Sequence, residues 1–115
     1  MLNFISFGSG SSGNCYYLYT ESEGLLIDAG VGVRTLKKYF HQYGYSFNSI
    51  HDLLVTHDHA DHIKSVGSLS HDFKLMVHST QTVHAGIDRN YCVKRKLMPE
   101  YKHYVKYDET FVVGH

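Results

Sequence analysis

The stretch Leu53-Leu-Val-Thr-His-Asp-His-Ala-Asp-His62 decides how this chain is read. Three histidines and two aspartates fall within the seven residues 56–62, directly after the apolar run Leu53–Val55. Imidazole and carboxylate are the ordinary ligands of zinc and similar divalent ions. His57 and His59, two apart in a tight loop, can point both rings the same way. Asp61 and His62 follow at once and can face a second point. The loop therefore offers four ligands, divided two and two. They either crowd around one ion or hold two ions that receive further ligands from elsewhere. Two ions about 3.5–4 Å apart can clamp both oxygens of a displacement.

Working outward, Leu2–Gly8 alternates apolar and polar residues and reads as a strand. Gly8–Asn14, "GSGSSGN", has the composition of a linker, but a second strand, Cys15–Thr20, begins immediately after it. A tight glycine-rich loop between strands is the better reading. Glu21–Gly24 makes a turn, and Leu25–Asp28 completes a hairpin with the preceding strand. In Arg34–Gly44, Leu36, Phe40 and Tyr43 recur at helical spacing, and Gly44 sits where a C-terminal cap is expected. Ile50–Thr56 enters the histidine motif as a strand. Ile63, Val66 and Leu69 predict a short helix from about His62. Lys74–Ser79 reads as a strand, and a helix follows, capped by Ser79 or Thr80. Residues 88–110 resist assignment, and Thr110–His115 reads as a last strand. The alternation of strands and helices defines an α/β chain. The motif lies at the C-terminal end of a strand, where open α/β sheets place their chemistry.

The 115 residues suit one small domain, and 43% hydrophobic content is enough to build a core. Eleven basic residues balance eleven acidic ones, which gives no global electrostatic case for non-specific nucleic-acid binding. A local basic patch, Val93–Leu97 ("VKRKL"), can still act inside a neutral total. Cys15 and Cys92 are too far apart in sequence for a zinc motif or a secreted disulfide framework and read as reduced thiols. No apolar run approaches the ~18 residues of a membrane span, and the first residues lack the pattern of a signal peptide. The expected compartment is the cytoplasm, with no membrane partner. His41, His51, His71, His78, His84 and His103 read as separate surface or satisfied core residues.

His57-Asp-His-Ala-Asp-His62 resembles the H-x-H-x-D-H signature of the metallo-β-lactamase superfamily of metal-dependent hydrolases. "FGSGSSGNCYYL", "LLIDAG" and "LLVTHDHADHIKSVGSL" are similar to the opening of that fold, in the same order. The Gly-Ser-Ser-Gly-Asn loop resembles its YycJ/WalJ-like branch, related to phosphodiesterases and exonucleases.

The resemblance implies an αββα sandwich, of which residues 1–115 would be the N-terminal αβ half. It places a first metal on His57 and His59 and a second on Asp61 and His62, the latter two also serving as catalytic residues. Asp28 would orient the loop or a ligand histidine, unless it is only a turn residue. Thr56 would steady the loop by hydrogen bonding. Ser9, Ser11, Ser12 and Asn14, in a loop near the metals, would meet a phosphate or simply form a turn. Two divalent ions are implied, zinc by ligand type and manganese as the second candidate.

The activity implied is hydrolysis of a phosphodiester in nucleic acid through a hydroxide held by both metals. The alternatives are a small-molecule ester, thioester or phosphoester on the same fold, or an inactive metal-binding fragment. Later ligands would come from a missing C-terminal half or a second chain. His115 is a stand-in for the next family histidine only if the terminus is ordered. Half a sandwich also predicts one uncovered sheet face.

Overall fold

A computed structural model describes residues 1–106 and 108–113. Its centre is a six-stranded sheet with the strands in chain order. β1 (Asn3–Gly8), β2 (Cys15–Tyr19) and β3 (Gly24–Ile27) form an antiparallel meander. From β3 onward the sheet is parallel, through β4 (Ile50–Leu54), β5 (Met76–Ser79) and β6 (Lys102–Tyr104). Each parallel step is made through helix: α1 (Val33–Tyr43), then α2 (Ala60–Ile63) with α3 (Val66–Phe73), then α4 (Gln81–Arg89). A parallel pair needs such a crossover because its strands run the same way.

One residue row shows how period-two patterning builds the core. Tyr17, Leu26, Leu53 and Val77 lie side by side across four strands, and all are buried. Leu36 and Phe40 of α1, Leu69 of α3 and Ile87 of α4 belong to the same core. The helices therefore bury one face of the sheet. The opposite row runs Phe4, Leu18, Leu25, Asp52 and Met76. Phe4 is exposed and Leu18, Leu25 and Met76 are half-buried, so this second face is largely uncovered among the described residues.

The helix ends follow their local chemistry. Gly44 adopts φ 74° at the end of α1, and the Tyr45 N–H closes the turn onto the Phe40 carbonyl at 2.8 Å. Of the two candidate caps of α4, Thr80 serves, accepting from the Val83 N–H at 3.2 Å. The helix expected from about His62 is split in two. The Asp61 carbonyl accepts from the Asn14 N–H at 2.7 Å, and the Ser65 N–H donates to the Ala29 carbonyl at 2.8 Å. The intrahelical bond between Asp61 and Ser65 is thereby replaced from both sides.

The end of the chain corrects the reading of Thr110–His115 as a last strand. The sixth strand is Lys102–Tyr104, inside the unassigned segment, and Thr110–Val113 joins no ladder. Phe111 instead stacks on His78 with ring centroids 4.8 Å apart, and Val113 borders a hollow with Leu2, Leu18 and Leu25 on the second face. Phe111 gains burial there without strand pairing. Gly114 and His115 lie outside the described residues, and with them the proposed stand-in role of His115. No helix is long and apolar enough to cross a membrane among the described residues.

Candidate metal centre

Parallel pairing of β3 with β4 sets Ile27 against Leu54. The residues leaving these two strands, Asp28 and Val55–His57, therefore emerge together at one sheet edge. Asp28 is almost wholly buried and has φ 62°, a left-handed conformation that aspartate tolerates better than most residues. Its carboxylate accepts three hydrogen bonds. The Thr56 N–H donates to Oδ1 at 2.7 Å, and the Thr56 hydroxyl donates to Oδ2 at 2.6 Å. His62 Nδ1 lies 2.8 Å from the same Oδ2. A carboxylate only accepts, so His62 carries its proton on Nδ1.

The same bonds fix the second histidine. The single hydroxyl proton of Thr56 is committed to Asp28. The contact between Thr56 Oγ1 and His57 Nδ1, at 2.8 Å, must then be a donation from the imidazole. As neutral imidazoles, His57 and His62 thus both present an unprotonated Nε2. Asn14 agrees with this for His62, since its amide Nδ2 is 3.4 Å from His62 Nε2 and can only donate to it. One buried carboxylate sets the tautomer of two imidazoles, one directly and one through a threonine. Carboxylate–imidazole pairs of this kind orient metal-binding histidines.

Ligand atoms of Asp28, His57 and His62 all lie within 4.8 Å of one another. The rings of His57 and His62 are 4.5 Å apart. Asp61 flanks them, with Oδ2 3.9 Å from His62 Nε2. His59 stands outside this group. Its side chain is 75% exposed, its Nε2 is 3.9 Å from Asp58, and its ring is 6.1 Å from that of His57. The donor set of neutral imidazoles and carboxylates is the one zinc takes.

The glycine-rich loop braces this centre. Asn14 is buried and bonds Gly10 in both directions, at 3.0 and 2.9 Å, which closes the loop. Its amide also reaches the Asp61 carbonyl at 3.1 Å and the Asp61 carboxylate at 3.3 Å. Ser9, Ser11 and Ser12 are exposed. Gly30 is required where the strands' exits cross, because a Cβ there would overlap the Asp61 carbonyl. Cys15, which follows Asn14 in the chain, is buried with no solvent exposure. Burial, and next the Asp28 charge, push its thiol up to about 12.

A second polar cluster was not legible in the sequence. His78 Nε2 bonds Asp52 at 2.6 Å, His78 Nδ1 lies 2.8 Å from His103 Nδ1, and His103 Nε2 is 3.2 Å from Glu109. These histidines are satisfied but not separate. His84, also buried, donates from Nε2 to the His103 carbonyl at 2.9 Å. Strand β6, which brings His103 to His78, was the missing signal.

Residues 8–90 match the sequence pattern of the metallo-beta-lactamase superfamily. The chain is 38% identical over 80 residues to exodeoxyribonuclease YycJ of Bacillus anthracis, a match covering 70% of this chain and 30% of that protein. It is 33% identical over 73 residues to exodeoxyribonuclease WalJ of Streptococcus pneumoniae, covering 64% of this chain and 27% of that protein. The matched segments thus span less than a third of these curated relatives. Among solved structures, the Rm3 metallo-beta-lactamase aligns with a TM-score of 0.76 at 14% identity, over 97% of this chain and 45% of that one. That likeness shows a shared fold. The family pattern over residues 8–90 establishes that this chain belongs to the metallo-β-lactamase superfamily, and its sequence is similar to members of the YycJ/WalJ-like branch.

Proposed function

We propose that this chain carries the metal-binding loop of a nuclease that hydrolyses phosphodiesters in nucleic acid, acting as an exodeoxyribonuclease. The observation that carries the reading is the proton arrangement around Asp28, which leaves Nε2 of both His57 and His62 free to donate to a cation. The similarity to two exodeoxyribonucleases supports the substrate class.

In this reading His57 and His59 hold one ion and Asp61 and His62 a second, with zinc favoured by donor type and manganese next. Such ions supply Lewis acidity and ease the ionisation of water near neutral pH. The protein's own part is positional. Asp28 holds His62, and Thr56 passes the same constraint to His57. Asn14 keeps the glycine-rich loop against Asp61, so that Ser9, Ser11 and Ser12 face a phosphate near the ions. Successive N–H groups in such a turn favour an anion. In this reading the remaining ligands come from a C-terminal half or a second chain packed on the uncovered sheet face.

The test is metal content together with turnover. Zinc and manganese per chain are measured by elemental mass spectrometry on protein purified without added metal, for the wild type and for His57→Ala and His62→Ala. Hydrolysis of bis-p-nitrophenyl phosphate and of a labelled oligodeoxynucleotide is followed on the same proteins. Metal lost in both variants, with oligonucleotide cleavage lost alongside, is the expected result. Wild-type metal content in both variants would sink the assignment of the site. Metal binding with no phosphodiester turnover would sink the reaction.

A further inference from the structure

The basic segment after α4 is held against the candidate metal centre. Asn90 donates from Nδ2 to the Asp58 carbonyl at 3.2 Å, joining the start of the segment to the histidine loop. Val93 and Leu97 are buried and peg the chain to the core. Gly67 of α3 lets the Arg95 carbonyl approach closely, where any Cβ would overlap it. His71 Nε2 bonds the Lys96 carbonyl at 2.7 Å. Between these fixed points Lys94, Arg95 and Lys96 are exposed.

Lys64 adds a fourth cation from the other side. It caps α2, two residues after His62, and is exposed. Lys64, Ser68, Lys94 and Arg95 line one groove, floored by Gly67 and Val93. The charge balance there is lopsided. Arg95 pairs with Asp72 at 2.9 Å, whereas Lys64 and Lys94 have no carboxylate partner among the described residues. Lys96 is held by the Asn90 carbonyl at 2.9 Å, which does not neutralise it. Three cations line the groove, only one of them paired with a carboxylate, in a chain whose net charge is zero. A merely solvated charge run would not need pegging at Asn90, Gly67 and His71.

Building on the nuclease reading above, we propose that Lys64, Lys94 and Lys96 form a phosphate track that grips the nucleic-acid backbone beside the metal centre. The cations are sequence-neutral contacts, suited to an enzyme that advances along a strand. Arg95, already engaged by Asp72, braces the track rather than gripping the substrate.

The test is binding in EDTA, where no cleavage occurs. Fluorescence anisotropy with a labelled oligothymidylate gives Kd over a range of KCl for the wild type and for a Lys64→Ala/Lys94→Ala/Lys96→Ala variant. Losing three phosphate contacts should lower the slope of log Kd against log salt by about 2, at ~0.7 per contact on single strands. Arg34→Ala/Lys38→Ala, exposed on α1, is the control and should leave the slope unchanged. Circular dichroism establishes that each variant is folded. Wild-type binding whose slope persists in the triple variant, or falls equally in the control, overturns the track and leaves the nuclease reading standing. Absence of wild-type binding to both the single strand and its duplex overturns both.

Discussion

Asp28→Asn is the substitution that bears most directly on the metal centre. Asparagine tolerates the left-handed backbone at φ 62°, so the change isolates the loss of charge and of one acceptor. Oδ1 can still accept from the Thr56 N–H. The amide nitrogen, however, replaces the oxygen that received both the Thr56 hydroxyl and His62 Nδ1. The threonine hydroxyl can turn and accept from the new amide. His62 can then keep this contact only by accepting at Nδ1, which moves its proton to Nε2. Thr56, its own proton released, becomes free to donate to His57 Nδ1 and shifts that ring in the same direction.

Both free lone pairs are lost together. Removing one orienting partner from a metal-binding histidine typically lowers affinity by 10–100-fold, and two histidines affected together place this variant near ~100-fold. The contacts are re-formed, but the three made to residue 28 lose their charge assistance, which should lower the stability of metal-free protein by about 1.5–3 kcal/mol. Competition with a chromophoric zinc chelator reads the first quantity and urea unfolding in EDTA the second. Long-range nitrogen–proton NMR of the imidazoles reports the tautomers directly. Zinc affinity within twofold of wild type, with both rings still protonated on Nδ1, would refute the argument. Asp28→Ala should be less stable again by ~1–2 kcal/mol, because alanine does not tolerate the left-handed backbone.

Two further predictions concern buried titratable groups. Cys15, fully buried and with its thiol pushed up to about 12, should resist Ellman's reagent at pH 8 in the native protein. Half-buried Cys92 should react natively, so that one thiol per chain titrates before guanidinium is added and two after it. Burial lowers the pKa of His84 from 6.5, so the unfolded chain binds this proton first. Its contribution is therefore flat above pH 6.5, and stability falls as pH drops below that value, by at most ~1.4 kcal/mol per pH unit. His84→Gln should remove that part of the acid slope in urea unfolding between pH 7 and 5. An unchanged slope would show that His84 is protonated in the folded state.

Much of the fold was written locally. The alternation in β1 and β2, the helical spacing of Leu36 and Phe40, the glycine cap at Gly44 and the threonine cap at Thr80 are short-range signals. Each acts within one turn or one hairpin. The motif at residues 57–62 likewise raised the expectation of metal chemistry by composition and spacing alone. Strand β6 escaped because it has only three residues, Lys102–Tyr104, and its polar alternation resembles a surface loop. The trailing Thr110–Val113 looked the better strand by composition, but its aromatic ring is half-buried by stacking on His78 and not by a ladder.

What sequence could not decide is which distant residues meet. Asp28 and Thr56 touch because β3 and β4 are parallel neighbours in a particular register, which brings two strand exits to one edge. Asn14 reaches Asp61 because the glycine-rich loop folds back over the same edge. Parallel register likewise sets His78 beside His103, and the peg at Gly67 lays Lys94 and Arg95 alongside Lys64. Residue types and spacings along a chain specify local geometry and available chemistry. Proton positions and shared grooves depend on contacts between segments far apart in sequence, and only the packed sheet fixes those.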